Sequence, residues 1–550
     1  MSGRRALGWG IDISAGSPRA SMHLPAAPGA MWTTRNFGEA IPGVQTPLGL
    51  TFWVDTSEVT LVQTSVDIGA IAPRRAMPTA VVNERFMGMF YGRMAGNINK
   101  FRDLADRIPG SSGDAFEEQV FGTVRSGRQN SPHRSRYLIT AAKMPYAVWR
   151  TAKAQRRDRS ETELWWAATV ADPPGGLAEA RAVFLDACLR FQRVVGAHGL
   201  ITMMAQGCYE QVAILCRQAG LPGAEAELIT GYGGLEETLL LSDLWMVARD
   251  GASLAEFVAK YGYHGSSSGD LSRPSWREDQ RQVEALCASY LDLPAEEQPE
   301  LRQRRQIASR QVMEGTVLAN LPRWRRPGAR AVLAAAARFM PLREIGKTAY
   351  VQAIDVARLA ARIAGREMAK AGTIDDPADV FFLTRAELAG TLPDQIRSVI
   401  ADRQAFYREC QQVRLPDYWD GVPQPLPVEQ VADGGEREEI TLRGIGVSPG
   451  VVTGAVRVVH DSGDEQLEAG EILVCETTNP SWVTLFLIAD AMVIDIGGVI
   501  SHGAIAAREL GIPCVINTRD GTRRLRTGDI VRVDGATGTV EVLQRAEVTA

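Results

Sequence analysis

Residues Pro416 to Glu439, PDYWDGVPQPLPVEQVADGGEREE, hold four prolines and three glycines and follow no helical period, so no regular core can run through them. They read as a linker. Fully extended, such a segment reaches about 80 Å, and as a flexible coil it averages roughly 27 Å, enough for a tethered domain to visit separate sites. On either side the pattern differs. From about Met31 to Asp379 apolar residues recur at three- and four-residue intervals, as in Ala178 to Ala197, Ile201 to Gln218 and Glu278 to Leu291, the spacing of helices. Arg330 to Met340 reads as a helix stopped by Pro341, and Glu344 to Ala371 as a second, long one ended by Gly372. Leu48 to Thr60 is the one strand-like stretch. Asp376 to Leu383 closes this region, and a helix of about Arg385 to Arg414 follows.

After the linker, Thr453 to His460, Ile472 to Cys475, Ala491 to Ile496, Cys514 to Ile516 and Ile530 to Asp534 are short, β-branched runs bounded mostly by Gly, Asn or Asp, with one clear helix at Gly503 to Leu510. The expected fold class is therefore multidomain. A disordered lead-in occupies residues 1–30, a mainly α-helical domain 31–384, a helix and Pro-rich linker 385–440, and a compact β/α domain 441–545.

A chain of 550 residues exceeds what one core usually organises. Sixty basic against 65 acidic residues leave a net charge of -5, and nothing in that balance suggests a nucleic-acid or membrane partner by bulk electrostatics. The most apolar stretch, Trp482 to Ile500, is interrupted by Asp490 and Asp495, each costing about 2.5–3.5 kcal/mol at a bilayer centre, so it reads as a pair of buried elements. Arg4 and Arg5 are not followed by an apolar core of signal-peptide length. The seven cysteines are scattered, without C-x-x-C or a histidine at zinc spacing, and read as thiols of a reducing cytoplasm with no metal site.

The chemistry concentrates in Ile494 to Pro513, IDIGGVISHGAIAARELGIP. A buried strand runs into Gly497 and Gly498, which permit a tight turn. Ser501 is an expected N-cap, placing His502 at the start of a helix. The free N–H groups there stabilise an anion, and a neutral imidazole is a competent nucleophile. The bland alternative is a helix-capping histidine.

This stretch resembles the signature of the mobile phosphohistidine, or swivelling, domain of phosphoenolpyruvate-utilising enzymes, the family of pyruvate phosphate dikinase, phosphoenolpyruvate synthase and rifampin phosphotransferase. GIGVSPGVVTGAVRVV (Gly444 to Val459), ILVCETTNPSWVTLF (Ile472 to Phe486) and TGDIVRVDGATGTVEVL (Thr527 to Leu543) agree in order. The resemblance implies that His502 is transiently phosphorylated, with Gly497, Gly498, Ser501, Gly503 and Arg508 around the phosphoryl group. Pyruvate phosphate dikinases carry a regulatory threonine two residues before the histidine; Ile500 stands here and excludes that control.

WTTRNFGEAIPGVQTPLGLTFW (Trp32 to Trp53), YGYHGSSSGDLSRPSWRED (Tyr261 to Asp279) and Pro341 to Thr384 are similar to the acceptor-binding domain of rifampin phosphotransferase. Relatives also have an ATP-grasp domain, which has no counterpart in this sequence. Gly346-Lys347-Thr348 is not a P-loop, because Pro341 stands where that motif needs glycine. The resemblance thus implies a split machine like phenylphosphate synthase, in which a separate ATP-grasp subunit holding ATP and Mg2+ phosphorylates His502, and no cofactor binds this chain. The acceptor would be a hydroxyl of a small phenol or alcohol; a rifamycin-type acceptor and a non-catalytic binding or regulatory protein are the alternatives.

Attack on phosphohistidine needs a base and cations. His264, in Gly-Tyr-His-Gly, is the candidate base, and Arg273, Arg277 and Arg343 are candidate phosphate ligands. His23, His133, His198 and His460 read as bland. Trp32, Trp53, Trp165, Trp166 and Trp245 line either a pocket or the core.

Overall fold

The computed structural model describes residues 18–35, 37, 40–75, 79–121, 124–125, 134–232, 236–291, 293–427, 441–460, 467–478, 482–499 and 501–546. The chain divides into two compact units, each gathered from separate stretches: 1–200, 269–272 and 349–429 form the first, and 201–268, 273–348 and 430–550 the second. This differs from the division read in the sequence, where the helical region to residue 384 is one domain and the C-terminal hundred residues another. The helical region contributes to both units because Leu177–Gln218 and Arg326–Lys370 are each one continuous helix across the division.

In the first unit the helix Pro47–Asp67 buries 16 of its 21 residues. Its apolar, β-branched text reads as a strand, but Pro47 at the first helical turn and burial on every side favour a helix. Phe52 packs on Phe191 at 4.5 Å between ring centroids, and Trp53 donates to the Gly269 carbonyl at 2.9 Å. A small antiparallel sheet joins Met87–Phe90, Arg93–Asn97, Met31–Thr33 and Trp419–Asp420 in that order. The expected lead-in is ordered from Pro18 onward: Ser21, Met22 and Leu24 are buried, and the His23 ring packs on Phe90, Tyr91 and Phe406. Residues 1–17 of that lead-in, His133, and 428–440 of the linker lie outside the described residues. Within the linker, Trp419 is buried in the sheet and Leu426–Pro427 pairs with Val413–Arg414. Arg385 to Arg414 is not one helix but two, Arg385–Ala389 and Ile396–Gln411.

The second unit is built on an eight-stranded sheet. Four strands run parallel: Val451–Val458, Glu471–Cys475, Ala491–Ile494 and Cys514–Ile516. Both faces are covered, as parallel sheets require. Along Glu471–Cys475, Ile472 and Val474 join a cluster with Val456, Val493 and Val533, while Leu473 and Cys475 join a second cluster with Trp245, Phe257, Trp276, Tyr290 and Phe486. The helices Glu236–Arg249, Leu254–Tyr261 and Arg281–Leu291 therefore share a core with the C-terminal sheet. Pro341 lies inside Arg326–Lys370 and does not end it. Burial of Leu342, Lys347, Thr348 and Ala349 on the far side holds the continuation, offsetting the backbone bond that proline removes. Among the described residues no helix is long and apolar enough to cross a membrane. The seven cysteines are free.

Candidate functional site

All four residues of the strand Ala491–Ile494 are buried. The Asp495 carboxylate that follows accepts from Thr518 Oγ1 at 2.7 Å, from the Gly521 N–H at 2.5 Å and from the Thr522 N–H at 3.0 Å, which fixes the strand end. Gly497 and Gly498 are buried in the turn, and the Ser501 N–H closes it on the Gly498 carbonyl at 2.8 Å. Ser501 has extended backbone and accepts from the Ala504 N–H at 3.4 Å, so the helix His502–Leu510 starts with the expected cap. A Cβ on Gly503 would come within 2.7 Å of both Ile494 Cδ1 and Thr478 Oγ1. Glycine lets the first helical turn lie against the strand, and this brings His502 to the carboxyl end of a parallel sheet, where ligands of such folds bind.

His502 is 7% exposed. Its Nδ1 is 2.7 Å from Lys347 Nζ and 3.4 Å from Glu237 Oε1, while its Nε2 is buried without a hydrogen-bond partner. Lys347 is itself buried, bonded to Glu237 and 3.7 Å from Glu344 Oε2. The neighbouring Arg343 bonds Glu344 Oε1 at 2.8 Å. Burial first, then Lys347, hold the imidazole well below its ordinary pKa, with Glu344 opposing and Arg343 and His264 reinforcing. The ring is therefore neutral at physiological pH, as a nucleophile must be. The aromatic face of Phe486 lies 6.1 Å away, ring to ring.

His264 is buried between Tyr263 and Trp276, at centroid distances of 4.5 and 5.4 Å, with Nδ1 unpartnered. Burial and Lys347 push its pKa down to about 3. Such a ring is neutral but a weak base, and the carboxylates that lie closest to the Lys347–His502 pair are those of Glu237 and Glu344. Arg343 lies beside the site through its bond to Glu344. Arg508 is buried, and its guanidinium braces the loop by donating to the carbonyls of Val499 at 2.7 Å and Val447 at 3.5 Å. Arg273 is exposed and Arg277 half-buried, and neither is among the groups acting most strongly on His502. A small cleft lined by Ile229, Tyr232, Met340, Arg343, Ile505 and Glu509 follows the same helix. Among the described residues no group of three or more His, Cys, Asp or Glu could hold a metal ion.

Lys347, Glu237 and Glu344 escaped the sequence reading. Lys347 lies four residues after Arg343, hence on the same helical face, and it belongs to the Gly-Lys-Thr triplet set aside as a false P-loop. The triplet is helical, yet its lysine reaches His502. Trp32, Trp53, Trp166 and Trp245 are buried and belong to the core. His198 lies within the helix Leu177–Gln218 against Tyr350, and His460 is exposed at a strand end.

The family described as "PEP-utilising enzyme, mobile domain" matches residues 467–538, and "Rifampicin phosphotransferase fourth domain" matches residues 226–344. An uncharacterised protein of Mycobacterium tuberculosis is 39% identical over 219 residues, covering 40% of this chain and 25% of that protein. A rifampicin phosphotransferase of Streptomyces is 31% identical over 341 residues, 58% of this chain and 38% of the relative. The phosphoenolpyruvate synthase of Pyrococcus furiosus is 46% identical over 106 residues, 19% and 13% of the two chains. The chain thus spans less than two fifths of the length of these curated relatives. The likeness to phosphoenolpyruvate-utilising enzymes and to rifampicin phosphotransferase, read from the motifs, is found in residues 467–538, which carry His502, and in residues 226–344, which carry Glu237 and Arg343.

Proposed function

We propose that this chain, a relative of phosphoenolpyruvate-utilising enzymes in its C-terminal segment, is the carrier and acceptor component of a phosphotransferase. His502 Nε2 takes a phosphoryl group originating from ATP and passes it to a hydroxyl of a small phenol or alcohol; AMP and phosphate are the by-products. The observation that supports this most is the state of the ring: neutral, at a helix N-terminus, with Nδ1 engaged and Nε2 buried without a partner. Leaving a buried polar atom unmatched costs about 1–3 kcal/mol. A phosphoryl group on Nε2 would place its oxygens toward the helix N–H groups, which favour developing negative charge.

The ATP would be held, with Mg2+, by an ATP-grasp module supplied in trans, in the cytoplasm. The acceptor hydroxyl would lose its proton to Glu237 or Glu344. A second reading, with a rifamycin as acceptor, draws support from the match of residues 226–344 to a rifampicin phosphotransferase domain.

The test is incubation with an isolated ATP-grasp domain of a rifampicin phosphotransferase and ATP labelled at the β position. The label should appear as acid-labile phosphate on the chain and be absent from His502→Ala. Phenol and rifampicin, offered separately, then distinguish the acceptors. A chain that binds phenol equally with and without His502, and never acquires label, would be a binding protein instead.

A further inference from the structure

We infer that Lys347 is the acid that releases the phosphoryl group, acting through His502 Nδ1 rather than on the phosphate oxygens. The inference rests on the reading of His502 as the carrier. Two buried side chains, 8% and 7% exposed, meet with Nζ 2.7 Å from Nδ1. An ammonium has three donors and no acceptor, so a neutral imidazole can meet it at that distance only with a lone pair on Nδ1. The resting ring then carries its proton on Nε2. A ring whose Nε2 bears phosphorus presents the same lone pair, and the arrangement therefore suits the outgoing half of the reaction, not the loading half.

The outgoing step balances as follows. The acceptor oxygen bonds to phosphorus while the P–Nε2 bond breaks, and the bonding pair stays on Nε2. Without help the ring would leave as an imidazolide anion. Lys347 gives a proton to Nδ1, so it leaves as neutral imidazole. The proton released by the acceptor hydroxyl returns to Lys347 through Glu237, whose Oε1 bonds Nζ and lies 3.4 Å from Nδ1. His502 emerges with a proton on Nδ1 and a lone pair on Nε2, the form needed to take the next phosphoryl group; when none arrives, exchange with solvent moves the proton to Nε2 and Nδ1 again accepts from Lys347, which is the resting arrangement. Among the described residues, Glu237, Glu344, Arg343 and His264 are the other titratable groups facing this pair.

The experiment loads the full chain with phosphoramidate and follows loss of the phosphoryl group from His502 to water between pH 6 and 9. Wild type should lose it at a nearly constant rate. Lys347→Met should be slower at pH 8 by about a hundredfold or more, the lower end of general-acid effects, and should speed up about tenfold for each unit of falling pH, because solvent must then protonate Nδ1. Lys347→Arg keeps the charge but does not surrender its proton and should stay slow. A wild-type rate and flat profile in Lys347→Met, or full rescue by arginine, would reduce Lys347 to a charge and overturn the inference while leaving the carrier intact. Nitrogen NMR of the unphosphorylated wild type gives a check that needs no variant: the His502 proton belongs on Nε2, and finding it on Nδ1 also overturns the assignment. If wild-type His502 accepts no phosphoryl group, the carrier reading falls and this step falls with it.

Discussion

Around the helix Pro47–Asp67, buried charges meet one another: Asp55 lies 3.4 Å from Arg85 and 3.6 Å from Arg385. Asp355, fully buried in the same unit, accepts from Trp166 Nε1 at 2.8 Å and from Arg358 at 3.0 Å. Around His502 the degree of burial is similar, yet His502 Nε2 and His264 Nδ1 face no partner and Lys347 is pressed against a ring nitrogen. In the first case the desolvation of charge is offset by pairing, which is what a scaffold needs. In the second a ring nitrogen stays unmatched beside a buried ammonium at a free-energy cost, and such departures from local consistency concentrate where chemistry occurs.

The contrast predicts opposite outcomes for two truncations of comparable size. His502→Ala should lower phosphoryl transfer by at least about 10⁴-fold, the scale at which removal of a catalytic nucleophile is felt, while denaturant midpoints shift little. Asp55→Ala should cost about 3–5 kcal/mol of stability, because Arg85 and Arg385 keep their buried charge without its partner, while the folded variant still accepts a phosphoryl group on His502. A destabilised His502→Ala, or a stable Asp55→Ala, would erase the distinction between the two regions.

Much of the second unit's sheet is legible in the sequence, because each strand is short, rich in β-branched residues and bounded by turn residues. Cys514–Ile516 and Ile530–Asp534 match the reading, and the N-cap Ser501 follows from the residue types alone. The helix Pro47–Asp67 was not legible as one, since a helix buried on all sides has no polar face to set a period. Nor was the setting of His502. Lys347 and Glu237 are 110 residues apart, and Lys347 and His502 are 155 apart. No local pattern encodes such pairings. The one hint was a lysine a single helical turn beyond Arg343.

Glu509 tests whether the tension around the second site extends along its helix. Its carboxylate accepts from the Gly231 N–H at 3.1 and 3.2 Å, and burial raises its pKa to about 7 despite that bond. A carboxyl whose pKa is raised on folding binds its proton more tightly in the folded state. Its contribution to stability is therefore greatest below the unfolded value near 4.5 and is lost as pH rises through about 7. Glu509→Gln removes the titration. The variant should be more stable than wild type by about 1–3 kcal/mol at pH 8, with the advantage fading toward pH 5, as thermal melts across that range would read. An advantage that does not change with pH would mean that the carboxylate is not strained by burial.

The smallest effect concerns the two caps. Thr384, in the first unit, forms a reciprocal box: its side chain accepts from the Glu387 N–H at 3.2 Å, and Glu387 accepts from the Thr384 N–H at 2.7 Å while pairing with Arg403. Ser501 makes a single long bond of 3.4 Å to Ala504. A closed cap satisfies the helix donors, whereas an open one leaves N–H groups for a phosphoryl oxygen. Thr384→Ala should cost about 1–2 kcal/mol and Ser501→Ala no more than about 0.5 kcal/mol. Phosphorylation of His502 should then raise the melting temperature of wild type and of Thr384→Ser alike, because the added oxygens take up donors that Ser501 leaves open and Thr384 does not touch; equal melting temperatures in phosphorylated and unphosphorylated wild type would show that the helix end is not the seat of the phosphoryl group.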